Sequence, residues 1–207
     1  MDRTLFLASS SPYRAQILDR HKICYTKLTH RYIEKSIPEE APAAKALRLA
    51  EGKALSGEID PQPYVIIGSD QVAHLDQQVF GKPGTHDKAL AQLRLFSGQW
   101  VSFTTGICLV TEQGDRRTAA ETYEIRFREL SDGQISRYLQ LEQPFDCAGS
   151  IKVESLGITL LDDARGRDVN CLYGLPVMLL REQLETCLLY TSPRPRDATL
   201  SRMPSSA

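Results

Sequence analysis

Residues 65–71 read V-I-I-G-S-D-Q, and this stretch sets the question for the whole chain. Its three branched apolar residues predict a buried strand over residues 64–68. A glycine and a serine follow, and then the ionisable Asp70. Aspartate is common in turns, so Asp70 could simply mark the end of the strand. Alternatively, a rigid strand could hold the Asp70 carboxylate in a functional cleft.

Strand and helix patterns alternate on both sides of this stretch. Further strands are predicted at residues 4–8, 78–82, 100–111, 121–128 and 157–161. Five helices are predicted. The first begins after Ser11-Pro12, the second runs from Pro42 to Ser56, and the third from His86 to Phe96. The fourth begins at a capping box formed by Ser131 and Gln134 and ends before Pro144, and the last runs from Pro176 through Leu184. This alternation predicts an α/β fold.

The composition is that of a soluble globular protein. Of 207 residues, 42% are hydrophobic, and 25 basic against 26 acidic side chains give a net charge of -1. A nearly neutral chain argues against nucleic acid or a membrane surface as partner. The sequence also lacks an apolar run approaching the ~20 residues of a membrane span. Five cysteines without a pairing framework predict reduced thiols and a cytoplasmic location.

The chain changes character near its C-terminus. Residues 190–207 contain three prolines and several serines, and little that could pack. We therefore predict one folded domain over residues 1–189 and a disordered tail over residues 190–207.

Several polar residues are candidates for chemistry, and each also has a plain structural interpretation. The loop that carries Ser9 and Arg14 opens a helix, so it could bind an anion or merely cap that helix. Lys53 could serve the same anion or extend to solvent, and Lys82 could be an ordinary turn lysine. The acidic residues Asp70 and Glu34 suit phosphoryl chemistry with a divalent cation, although Glu34 could be solvated. The remaining candidates are Glu154, Asp168 and Asn170, of which the last two could be turn residues.

The order of these motifs is more specific than any one of them. The segments L-A-S-S-S-P-Y-R, A-E-G-K-A, I-I-G-S-D-Q-V, G-K-P, C-A-G-S and G-R-D-V-N-C-L-Y-G-L-P resemble the Maf family of nucleoside triphosphate pyrophosphatases. The resemblance extends from residue 4 to about residue 187. It implies a mixed, elongated sheet with two lobes around a central cleft. It also implies hydrolysis of a nucleoside triphosphate to the monophosphate and pyrophosphate with a divalent metal ion, Mg²⁺ or Mn²⁺.

The same resemblance implies roles for individual residues. Asp70 matches the catalytic carboxylate that accepts a proton from the attacking water, and Glu34 and Asp70 match cleft acids that could hold the metal. The positions that handle phosphate are Ser9, Arg14, Lys53 and Lys82. Ile33 stands where the family usually has aspartate, which puts one metal or water contact in question.

Three positions relate the chain to a branch of the family. Tyr13, Gln71 and Glu154 resemble the branch that acts on 7-methyl-GTP, rather than the branch that acts on dTTP and UTP. A methylated guanine ring is positively charged, which favours an aromatic face and a nearby carboxylate. A dTTP/UTP pyrophosphatase, or a nucleotide-binding regulator of septum formation, remains the alternative function. The resemblance also allows a homodimer.

Overall fold

The computed structural model describes residues 3–57, 59 and 63–191, with side chains as far as Thr186. Its strands are β1 (Thr4–Ala8), β2 (Thr26–Leu28), β3 (Tyr64–Leu75), β4 (Gln78–Phe80), β5 (Trp100–Thr111), β6 (Arg116–Phe127) and β7 (Leu161–Arg165). Its α-helices are α1 (Pro12–Arg20), α2 (Pro42–Leu55), α3 (His86–Phe96), α4 (Asp132–Glu142) and α5 (Val177–Thr191). Short 3₁₀ helices cover Ala148–Ser150, Leu156–Leu160 and Val169–Tyr173.

The described strands form one mixed sheet. Their order is β2-β1-β3-β5-β6-β7, and β4 pairs with the far end of β3. Strand β1 runs parallel to β2 and β3, whereas β3, β5, β6 and β7 pair antiparallel along the chain. Strands β3, β5 and β6 have 12 residues each, which makes the sheet elongated. The predicted α/β class with a mixed sheet is therefore confirmed.

Helix α2 lies unusually close to the sheet because two glycines face it. A side chain on Gly68 of β3 would overlap the carbonyl oxygen of Ala50, and one on Gly106 of β5 would meet the backbone at Ala46. Close packing of this kind fixes the height of the helix above the strands. It brings Lys53, near the end of α2, over the strand segment that follows Gly68.

The buried side chains gather at two ends of the sheet. At one end, Leu7 and Ile67 pack against α1 and α5, while Ile66 packs against α2 on the opposite face. At the other end, Phe96 and Phe127 lie in a larger cluster formed with α3 and α4. The two lobes that the resemblance implies stay a prediction, since the strands of both clusters belong to one continuous sheet.

Strand β3 is longer than its pattern predicts, so Asp70 lies within the strand and does not mark its end. We predicted a strand that stops at Gly68, whereas β3 continues to Leu75 and Asp70 pairs with Gly106 in its middle. The polar side chains are tolerated there because they have tertiary partners. Ser69 donates to the carbonyls of Gly106 and Gly174, and Asp70 accepts from Lys53.

Three other boundaries differ from the predictions. The predicted strand at 157–161 is wrong: residues 156–160 form a 3₁₀ helix, and the strand is the polar, exposed segment Leu161–Arg165. Apolar periodicity cannot detect such a strand at the edge of a sheet. Strand β6 begins at Arg116, five residues before the predicted start, because it pairs with β5 along its whole length. Helix α5 continues seven residues beyond Leu184.

The C-terminal prediction falls largely outside the described residues. Helix α5 ends at Thr191 and so includes the first two residues of the predicted tail, and residues 192–207 are not described. The domain boundary at residue 189 stays a prediction. Among the described residues, no helix combines the length and apolar character needed to cross a membrane.

Candidate active site

Asp70 is paired with a lysine that also contacts a second carboxylate. Lys53 Nζ donates to Asp70 Oδ1 and lies 2.8 Å from Glu34 Oε1. Asp70 and Lys53 are only 9% and 7% exposed, whereas about half of the Glu34 side chain, 53%, remains accessible. Burial acts to raise the pKa of Glu34, but the hydrogen bond and charge of Lys53 outweigh it and lower the pKa. Two carboxylates thus converge on one buried ammonium group.

The start of α1 supplies a second cation to the cleft. Arg14 donates from Nη1 to Ser9 Oγ at 3.2 Å and from Nε to the carbonyl oxygen of Gly174 at 2.8 Å. Ser9 Oγ also accepts from the backbone N–H of Ser11 at 3.1 Å. Burial lowers the pKa of Arg14, and the charges of Asp70 and Glu34 oppose this effect. An arginine retains its charge under such conditions, so Arg14 is a fixed cation rather than a solvated residue of the first turn.

The segment G-R-D-V-N-C-L-Y-G-L-P forms the wall that holds Arg14 in place. Gly174 has φ +92°, a left-handed conformation that favours glycine, and its carbonyl accepts from both Arg14 and Ser69. Asp168 caps two helices, since its Oδ1 accepts from Asn170 N and its Oδ2 from Met178 N. Asp168 therefore has a structural role here, in agreement with its interpretation as a turn residue.

Gln71 is tied to this wall. Its Nε2 donates to the carbonyl of Cys171 at 2.6 Å, with Thr105 Oγ1 at 3.4 Å. The amide N–H groups of Gln71 are therefore already used within the protein. Gln71 positions the cleft wall, and a contact to a bound base would have to use its carbonyl oxygen.

Tyr13 and Glu154 line the cleft together with Asp146, Cys147 and Ala148. The Tyr13 hydroxyl is 3.7 Å from Cys147 Sγ, which in turn lies 3.4 Å from Asp146 Oδ1. Burial raises the pKa of Tyr13, and the nearby Cys147, Asp146 and Glu154 raise it further. Burial also raises the pKa of Cys147 to about 11. The tyrosine is therefore neutral, and the exposed carboxylate of Glu154 is available beside it.

Lys82 completes the predicted set at the rim of the cleft. It follows β4, is exposed, and contributes to the lowered pKa of Glu34. In the part of the chain that the structure describes, Lys82 makes no ion pair within 4.0 Å. It is thus able to meet an incoming anion.

All nine residues to which the family resemblance assigns a role line one cleft of about 590 Å³, whereas the candidates Asp168 and Asn170 do not line it. This volume lies within the usual range for small-molecule sites, roughly 300–1,000 Å³. The residues come from distant parts of the sequence: Ser9, Tyr13, Arg14, Glu34, Lys53, Asp70, Gln71, Lys82 and Glu154. The lining combines cations and carboxylates with the aromatic ring of Tyr13.

Comparison with known proteins assigns the chain to a family. Residues 4–187 match the family described as Maf-like protein. The chain belongs to the Maf-like protein family. A 7-methyl-GTP pyrophosphatase from Nitrosococcus oceani is 49% identical over 183 residues, which cover 88% of this chain and 92% of that protein. One from Alcanivorax borkumensis is 46% identical over 182 residues, covering 87% and 92%.

A solved structure gives a weaker match to this Maf-like chain. It is the crystal structure of a nucleoside-triphosphatase / dITP/XTP pyrophosphatase from Mycobacterium abscessus, and the match covers 93% of this chain and 100% of that one. The sequence identity is 13% and the TM-score 0.41, so the likeness in overall shape is slight.

His30 is a residue of the Maf-like cleft that the sequence analysis missed. It lies in the segment between β2 and α2, lines the cleft, and has a buried Nδ1 without a hydrogen-bond partner among the described residues. Burial lowers its pKa, and the charge of Lys53 adds to this while Glu34 opposes it. Its position four residues before Glu34, in the same polar loop, was the signal that could have identified it.

The Maf-like site fits a divalent cation only with help from the substrate. The described residues contain no group of three or more side chains able to hold a metal by themselves. Ile33, in the place of the family's usual aspartate, is 79% exposed and offers no ligand. Mg²⁺, however, commonly uses one or two carboxylates together with substrate phosphates and water. Glu34 and Asp70 meet that requirement.

Proposed function

We propose that this protein is a nucleoside triphosphate pyrophosphatase that hydrolyses 7-methyl-GTP to 7-methyl-GMP and pyrophosphate. The observation that carries the proposal is the convergence of all nine predicted residues on one cleft. The two relatives reported above, both 7-methyl-GTP pyrophosphatases, support the same substrate.

The triphosphate binds beside the cations that line the cleft. Arg14 is pre-oriented by Ser9 and Gly174, so little conformational entropy is lost when it meets a phosphate oxygen. Lys82, an exposed residue of the cleft lining, supplies a further cation. Lys53 already forms ion pairs with two carboxylates, and its main effect is to keep Asp70 and Glu34 close together despite their like charges.

Asp70 is the proton acceptor in the hydrolysis. Water attacks phosphorus, the bond between the α- and β-phosphates breaks, and the proton lost by water passes to the Asp70 carboxylate. The rigid centre of β3 holds this carboxylate still, which matters because a displacement of about 1 Å can cost on the order of 100-fold in rate. A divalent cation held by Glu34 and Asp70 would neutralise phosphate charge and orient the substrate.

The base binds between Tyr13 and Glu154. The aromatic ring of Tyr13 suits the positively charged 7-methylguanine, and the Glu154 carboxylate can accept from its N–H donors. Phosphates are common to all nucleoside triphosphates, so the contacts of Tyr13 and Glu154 with the base set the preference among them. The result is the removal of a modified nucleotide before it enters nucleic acid.

The setting of this activity is the cytoplasm. Cys24, Cys147 and Cys171 are free thiols, and reduced thiols are typical of that compartment. Assembly into a homodimer stays a prediction.

A substrate panel tests the proposal directly. Pyrophosphate release is measured with 7-methyl-GTP, GTP, dTTP and UTP, each with Mg²⁺, with Mn²⁺ and with a chelator. We expect the highest kcat/KM with 7-methyl-GTP and its loss with the chelator. A preference for dTTP or UTP would assign the protein to the other branch of the family. Tight nucleotide binding without any turnover would instead support the regulatory alternative.

A further inference from the structure

The loop that carries Glu34 has little structure of its own. Residues 29–41, all within the described range 3–57, contain no helix or strand. Glu34 is nevertheless placed 2.8 Å from Lys53. Ordering a loop residue costs about 1–2 kcal/mol in backbone entropy, so something outside the loop must stabilise this arrangement.

Arg48 of α2 binds this loop on both sides of Glu34. Its Nε and Nη2 donate to the two carboxylate oxygens of Glu40, each at 2.6 Å. Nη1 donates to the Tyr32 hydroxyl at 3.1 Å, and Nη2 also donates to the carbonyl of Lys35 at 3.1 Å. A two-pronged guanidinium–carboxylate pair combines strength with fixed geometry. Arg48 therefore holds the loop at three points.

The same helix receives the ring of Tyr32. A side chain on Gly52 would overlap that ring, so the glycine leaves the space in which Tyr32 lies. Gly52 directly precedes Lys53, the partner of Glu34. Helix α2 therefore carries three features in succession: Arg48 binds the loop, Gly52 leaves space for the Tyr32 ring, and Lys53 pairs with Glu34.

We propose that Arg48 is a positioning residue that holds Glu34 against Lys53 and the catalytic carboxylate. Arg48 does not itself line the cleft, so it acts through the loop over residues 32–40. The proposal rests on the proposed function for the role of Glu34, whereas the anchoring of the loop can be measured without turnover.

The first test measures loop anchoring by limited digestion with trypsin. Lys35 is an exposed residue within the anchored loop. In Arg48→Ala we expect cleavage after Lys35 to become at least about tenfold faster, because three anchoring contacts are lost. Arg94→Ala is the matched control, since it removes a comparable two-pronged pair with Asp132 (2.8 Å and 2.8 Å) between α3 and α4 and should leave that cleavage rate unchanged. Unchanged cleavage after Lys35 in Arg48→Ala would overturn the proposal.

The second test asks whether Arg48 acts through Glu34. We expect Arg48→Ala to lower kcat/KM for 7-methyl-GTP by about 10- to 100-fold in the wild-type background, but by less than about twofold in a Glu34→Ala background. Equal losses in the two backgrounds would overturn the proposal, because they would reveal a general structural defect. Arg48→Lys keeps the positive charge but not the two-pronged guanidinium geometry, so it should lower kcat/KM by an intermediate factor.

Two further outcomes are distinguishable. If Arg48→Ala fails to fold, the same digestion and kinetic measurements on Arg48→Lys and Glu40→Gln decide the question. If the wild-type protein hydrolyses none of the nucleotides, the proposed function fails, and the digestion result alone supports or overturns the anchoring role.

Discussion

Replacing Asp70 with asparagine separates its chemical role from its structural one. The amide is nearly isosteric with the carboxylate, and its oxygen can still accept from Lys53. It cannot accept a proton at neutral pH. General-base catalysis contributes about 10²- to 10⁴-fold, so we expect kcat/KM to fall by that factor. The loss corresponds to about 3–5 kcal/mol in activation free energy.

The Asp70→Asn substitution should change the free energy of unfolding much less than it changes the activation free energy. Lys53 keeps Glu34 at 2.8 Å, so the ammonium group is not left unpaired. The hydrogen bond between two charged groups becomes one between the charged Lys53 and a neutral amide oxygen, which costs about 1–2 kcal/mol and lowers Tm by about 2–8 °C for a chain of this length. Lys53→Met is the contrasting variant, because it leaves two carboxylates without their cation. Breaking a buried pair in that way costs about 3–5 kcal/mol.

The assay combines pyrophosphate release from 7-methyl-GTP with thermal unfolding of wild type, Asp70→Asn and Lys53→Met. An Asp70→Asn protein that folds and retains more than about a tenth of wild-type kcat/KM would refute the general-base role, since the smallest expected loss is 100-fold. A Tm for Asp70→Asn below that of Lys53→Met would refute the argument that Glu34 still satisfies the lysine.

Four further predictions concern other parts of the molecule. Glu154→Gln should reduce kcat/KM for 7-methyl-GTP more than for dTTP, by about 10-fold or more if one charged contact is lost, and equal losses would contradict its role at the base. Cys147, with its pKa raised to about 11, is roughly 0.1% thiolate at pH 8, so iodoacetamide should alkylate it more slowly than the exposed Cys24, as mass spectrometry can measure. Gly68→Ala should lower the free energy of unfolding by about 1–3 kcal/mol in urea denaturation, because the added methyl group forces α2 away from the sheet. Deletion of residues 192–207 should leave both kcat/KM and Tm unchanged, and a large change in either would contradict the tail prediction.

Local patterns in the sequence were sufficient for most of the helices. Thr85 accepts from Lys88 N at the start of α3, and the capping box of Ser131 and Gln134 forms as predicted. These signals are reliable because capping groups and their partners lie within one turn of each other. Edge strand β7 was missed because its residues are polar and exposed, and its pairing with β6 depends on a distant part of the chain.

The sequence by itself determined nine of the residues that line the cleft, since the order of its motifs placed them in the Maf-like pattern. Only the tertiary structure decided what each residue does there. It put Asp70 in the middle of a strand, bonded Gln71 to the cleft wall, and brought His30 into the site. The physical reason is that hydrogen-bond partners and burial are properties of contacts between distant segments, and a sequence pattern records only what neighbours along the chain require.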